Sequence, residues 1–216
     1  MDDLIERAGG IGAFHVLFYV AIGSGTNCIR AFVNYLIPFQ IQKQEYLCNY
    51  TDGTVGSQDG ICTLENICDG LPEIASWAVD FTHERSLHNW VQQLDLMCEP
   101  DWKGGFLGTA FYFFWCLSLL VVARLADRVG RRSPYLTSRV IECGLFVATL
   151  LARDYWVMVG LMGAFGLAAA GRINVGTVYL TEWLPRKNQT AVHVIHQSGH
   201  SIVYISYTIF FWQVGN

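Results

Sequence analysis

Charge is what this sequence has least of. Only 15% of its 216 residues are Asp, Glu, Lys or Arg, where a soluble domain carries about 25%. The deficit is uneven: charged residues cluster and leave long uncharged runs between them. A basic n-region is missing too, because Met1 is followed by Asp2, Asp3 and Glu6. No cleavable signal peptide is therefore expected, and the acidic start argues against an Arg-rich organelle presequence. No nucleophile–base constellation, phosphate loop or dinucleotide fingerprint occurs, so neither an enzyme nor a cofactor is expected. The net charge of −4 and the lack of an extended basic surface give no footprint for nucleic acid.

What is present is a series of apolar runs, 52% of the chain being hydrophobic, with 13 Phe, 10 Tyr and 7 Trp. Runs of ~17–25 apolar residues cross a bilayer as helices. Five are expected: Ile11–Ile41, Gly104–Ala126, Pro134–Ala152, Tyr155–Trp183 and Gln189–Trp212. The fold class read from them is an all-α membrane protein of five transmembrane helices with one large loop. The expected segmentation is 1–41 (N-terminal segment and first span), 42–101 (large loop), 102–133 (second span and basic loop), 134–188 (third and fourth spans with a loop) and 189–216 (fifth span and tail). Glycine is frequent inside the spans, at Gly105, Gly108, Gly160, Gly163, Gly166, Gly171 and Gly176. Small residues let membrane helices approach closely, which predicts a packed bundle.

Lys and Arg in short loops set orientation. The loop after the second span holds Arg124, Arg128, Arg131 and Arg132, and the loop after the fourth holds Arg186 and Lys187. Residues 42–101 carry only Lys43 and Arg85 against eleven acids. The N-terminus and basic loops are therefore expected inside, and the acidic loop and C-terminus outside. Cys48, Cys62, Cys68 and Cys98 lie in the acidic loop. They contain no CxxC, so two disulfides in an oxidising compartment are favoured over zinc; three pairings stay open. Asn49-Tyr50-Thr51 in the same loop is a glycosylation sequon.

The most specific motif is Leu125-Ala126-Asp127-Arg128-Val129-Gly130-Arg131-Arg132. It resembles the signature loop of the major facilitator superfamily. Gly130 allows a tight turn, and the arginines suit an anionic membrane face and helix-end carbonyls. Asp2 to Gly12 resembles the opening segment of the organic cation/anion transporter branch. Trp77-Ala78-Val79-Asp80, Asp95-Leu96-Met97-Cys98 and Trp102-Lys103 resemble the closing part of that branch's large first outer loop. Glu182-Trp183-Leu184-Pro185 resembles the end of its fourth span. The resemblance covers nearly the whole chain and corresponds to the N-terminal half of a twelve-span fold. Ala123 stands where the signature opens with Gly, which bears on close approach by a partner helix, and Gln189 stands where an arginine commonly closes the loop after span four, which thins the inner charge network.

Intramembrane polar groups are the default functional candidates. Arg30 lies in the first span and Arg172 in the fourth. His193, His196 and His200 share one face of the fifth, flanked by Gln197. Together they form the candidate cavity lining, with no metal assigned. The signature loop (Asp127, Arg128, Gly130, Arg131, Arg132) and the second inner loop (Glu182, Arg186, Lys187) form the candidate coupling region. The resemblance implies a solute carrier that moves small organic ions by alternating access once completed by a second half. The alternative is a transporter remnant acting as a structural subunit of a larger membrane complex, perhaps respiratory. The expected partners are membrane lipid, a second transporter half or other membrane subunits, and small organic ions. A lone half is expected to leave Asp127, the inner arginines and Arg172 without their usual partners. The expected location is the plasma membrane or an endomembrane, with the mitochondrial inner membrane as the alternative.

Overall fold

The computed structural model describes residues 37–53, 55–56, 62–82, 86, 88–182, 184 and 186–214. Nearly all of the expected first span, including Arg30, lies outside the described residues. The chain divides into two compact units, one built mainly on residues 35–105 and the other on 106–205.

The first unit is the long loop, and it is folded. Strands β1 (Tyr46–Tyr50) and β2 (Val55–Gly56) pair antiparallel, and β3 (Ile74–Val79) pairs with the other edge of β1. Gly53, at φ +84°, closes the β1–β2 turn by donating its N–H to the Tyr50 carbonyl at 3.0 Å. Helix α1 (Leu64–Cys68) starts at Thr63, whose hydroxyl accepts the Asn66 N–H. Helix α2 (Trp90–Gln93) starts at Asn89, whose side chain accepts from Val91 and donates to the Phe39 and Gln42 carbonyls. That one amide fastens α2 to the chain approaching β1. Disulfides join Cys48 to Cys62 and Cys68 to Cys98. They link β1 to the start of the α1 region, and α1 to the segment after α2. Tyr46, Ile67, Trp90, Val91, Leu94, Leu96 and Met97 are buried around them. A unit of this size has a small core, so covalent staples matter. The all-α expectation is corrected here: the protein is mostly helical, but this loop holds a three-stranded sheet.

The second unit is helical, built on α3 (Trp102–Val129) from residue 106 onward, α4 (Arg132–Leu151), α5 (Tyr155–Ala169), a π-helical turn (Ala170–Val175), α6 (Gly176–Glu182) and α7 (Arg186–Val214) as far as residue 205. The α4–α5 link is tight because Asp154 caps α5, accepting the Val157 N–H at 2.9 Å. Among the described residues three helices are long and apolar enough to cross a membrane: Trp102–Val129, Arg132–Leu151 and Tyr155–Glu182. Helix α7 has the length, at 29 residues, but polar side chains fill its first half.

Burial in α4 runs opposite to a soluble helix. Its buried residues are Tyr135, Glu142 and Thr149, spaced by seven, while Val140 and Leu151 are each 74% exposed. Polar groups face protein and aliphatic groups face outward, as hydrocarbon surroundings demand. The glycines divide sharply. Around Gly105, Gly108 and Gly160 there is open space for a Cβ. Gly166 lies against the Phe111 carbonyl and the Trp115 N–H of α3, and Gly163 against the Phe114 ring. Ser118 reinforces the same contact by donating to the Leu167 carbonyl at 2.7 Å. Leu107, Phe111, Met158, Met162 and Phe165 are almost fully buried in this unit.

Candidate functional site

The polar residues of α4 face the π-turn and α6, which run antiparallel to it, and form a ladder of contacts. At its deep end Arg172 and Glu142 are 1% and 0% exposed. The Arg172 Nε stands 2.5 Å from both carboxylate oxygens and hydrogen-bonds Oε1. Oε2 takes part in the charge contact but accepts no aligned hydrogen bond among the described residues. Arg139, one turn before Glu142, adds positive charge nearby and donates to the Tyr135 hydroxyl at 3.1 Å. The Tyr135 ring packs on Gly176 and lies 6.1 Å from the Tyr179 ring.

The ladder ends at the signature loop. Gly130, at φ +90°, lets α3 turn directly into α4, a conformation a side chain would strain. Arg131 follows and bridges two acids: Nη2 is 3.6 Å from Asp127 and Nε 2.9 Å from Glu182. The last turns of α3 and α6 are thereby tied through one guanidinium. Arg132 is exposed. A cleft of ≈ 550 Å³ lined by Arg131, Ser133, Thr137, Tyr179 and Glu182 opens beside the bridge. Gln189 donates its amide to the Thr181 and Leu184 carbonyls at 2.9 and 3.2 Å, so the loop after α6 is closed by hydrogen bonds where the resemblance implies an arginine.

Arg172, a candidate cavity residue, has its guanidinium against Glu142 in a helix–helix interface. Asp127, Arg131 and Glu182 pair among themselves, and Arg172 has Glu142. Glu142, Tyr135 and Tyr179 were missed. The available signal was a single acid in the middle of an apolar span, which requires a buried countercharge.

His193 is exposed and His200 buried on α7. The His196, Gln197, Arg186 and Lys187 side chains lie outside the described residues, although their backbone belongs to α7. Arg128 is exposed at the end of α3. Among the described residues no group of three His, Cys, Asp or Glu could hold a metal ion. Asn49 is exposed on β1, its amide donating to Ser76 at 3.0 Å.

Long apolar helices, an outward aliphatic surface, a buried charge pair and a glycine-turned basic loop define a polytopic integral membrane protein. The family model described as Major Facilitator Superfamily matches residues 103–210. The chain belongs to that superfamily. It is 22% identical to solute carrier family 22 member 1 of Bos taurus over 173 residues, 79% of this chain and 31% of that protein. It is 29% identical to solute carrier family 22 member 16 of Bos taurus over 115 residues, 51% of this chain and 20% of that protein. A Caenorhabditis elegans protein named as a transporter is 20% identical over 212 residues, 93% of this chain and 36% of that protein. The matched region thus spans about a third or less of the curated relatives' length, and its resemblance to the organic-ion branch rests on these proteins.

Proposed function

We propose that this chain is the N-terminal bundle of an organic-ion carrier of the solute carrier family 22 type, working by alternating access when joined to a second bundle. The observation that carries the reading is the Asp127–Arg131–Glu182 bridge in the signature loop. Charges at a helix-end loop are well placed to hold one inner conformation and release another. Arg131 is 30% exposed and Glu182 47%, so the bridge adds at most ~1 kcal/mol to stability. A weak, exposed bridge suits a contact made and broken in each cycle.

The proposed topology has five spans: one within the first 41 residues, the three long apolar helices, and α7. The basic loops lie inside and the disulfide-bearing loop outside. The disulfides fit an oxidising outer compartment, which favours the plasma membrane or an endomembrane.

The test is uptake by the complete carrier in proteoliposomes. Saturable uptake of small organic ions is expected, and Arg131→Ala should abolish most of it while barely moving the thermal midpoint. Normal uptake by Arg131→Ala would remove the bridge from the cycle. A correctly inserted complete protein that moves no organic ion would sink the assignment.

A further inference from the structure

Span four changes its winding once, at Ala170–Val175. Gly171 and Gly176 sit at the two ends of that turn. Five residues apart on an α-helix, they would point ~140° away from each other. Here the Gly176 N–H donates to the Gly171 carbonyl, an i→i+5 closure, and both glycines meet α4. Gly171 lies against Ser138 and the Pro134 carbonyl, and Gly176 against the Tyr135 ring. The π-turn therefore keeps one face of span four on α4 through a stretch where an α-helix would rotate away. Everything beyond inherits that rotation, including Tyr179 and Glu182. Adding or removing one residue of winding would turn α6 by ~100° and carry Glu182 away from Arg131.

The wide turn needs something to hold it, since π-helices are rare and short. Arg172 is the one charged side chain inside the turn and is fully buried against Glu142 of α4. An Arg at this depth without a countercharge is costly, so rewinding that removed it from Glu142 is opposed. We propose that Glu142 is a positioning residue acting through Arg172: the buried pair holds the π-turn, and the π-turn sets the rotation of α6 that delivers Glu182 to Arg131. The inference concerns the second unit's own geometry and stands whether or not the carrier reading holds.

The experiment uses the full chain in nanodiscs, with Cys28, Cys116 and Cys143 changed to Ser. Arg131→Cys and Glu182→Cys are cross-linked by a short bifunctional thiol reagent, which reports where position 182 stands over position 131. Cross-linking is expected in this background and lost on adding Glu142→Leu with Arg172→Met, which removes both charges and leaves neither stranded. The exchanged pair, Glu142→Arg with Arg172→Glu, is expected to restore it. Glu142→Gln serves as a second variant that keeps volume and polarity, and reduced cross-linking is expected there too. Background-level cross-linking in either the neutral double variant or Glu142→Gln, each monodisperse on gel filtration, would show that glycine packing alone sets the turn and would overturn the proposal.

Discussion

Gly160 and Gly166 lie on the same helix and carry the same lack of a side chain, yet only one is constrained. A Cβ at Gly160 meets nothing within 4 Å, while one at Gly166 runs into the α3 backbone at Phe111 and Trp115. Gly166→Ala should therefore destabilise by ~1–3 kcal/mol through overpacking, and Gly160→Ala should be neutral or slightly stabilising. Thermal unfolding of the two variants in the same detergent checks this; equal midpoints would contradict the α3–α5 contact. The sequence shows that glycines are abundant, but not which face each occupies. A second residue-scale expectation concerns Tyr46, whose burial pushes its hydroxyl pKa above the usual 10.0. The folded loop then favours the protonated phenol. Stability from this site is intact below the unfolded pKa and is lost as pH rises through the folded one. Tyr46→Phe should remove that alkaline sensitivity, read as the loop's near-ultraviolet signal across pH 9–12.

Helices were the legible elements, and for a physical reason: a bilayer demands an uninterrupted apolar run, and composition alone displays it. The long loop hid its strands because no comparable demand acts on it. β1 and β3 are short, their burial is set by each other and by two disulfides, and alternation over five or six residues is a weak signal. The π-turn was hidden more deeply. Nothing in Ala170-Gly171-Arg172-Ile173-Asn174-Val175 announces it; it follows from what α4 presents opposite, namely Ser138, Tyr135 and Glu142. The candidate site was legible where charges lay in a motif, as with Asp127 and Arg131, and illegible where a partner came from another span, as with Glu142. The cysteines left three pairings open, and the fold selects Cys48–Cys62 and Cys68–Cys98. Peptide mapping without reductant should recover these two bridges. Removing the longer one, with separation 30 against 14, should cost about 0.6 kcal/mol more, since each doubling of loop length adds about that much closure entropy. Any Cys48–Cys68 peptide would contradict the pairing.

At the scale of the whole molecule, the open question is what a single bundle can do. Alternating access moves a substrate site between two faces by rocking one bundle against another, with walls from both. Among the described residues this bundle matches its buried pair internally, Arg172 with Glu142, and the more exposed Arg131 with Asp127 and Glu182. Internal matching lets such a bundle exist in lipid without a partner, since no bare charge in these pairs faces hydrocarbon. It does not provide a second wall. The 216-residue chain alone should therefore insert and remain folded in liposomes, yet give no saturable uptake of organic cations or anions. The same chain joined to a C-terminal bundle should give uptake, and Arg131→Ala should remove it. The measurement is the initial rate of radiolabelled organic-ion uptake, with insertion confirmed by labelling an Arg132→Cys variant, at an exposed position of the same loop, from the inner face only. Labelling of that position from the outer face would reverse the topology. Saturable uptake by the monomeric 216-residue chain would show that one bundle suffices. A stable stoichiometric membrane partner with no uptake in any form would instead assign the bundle a structural role.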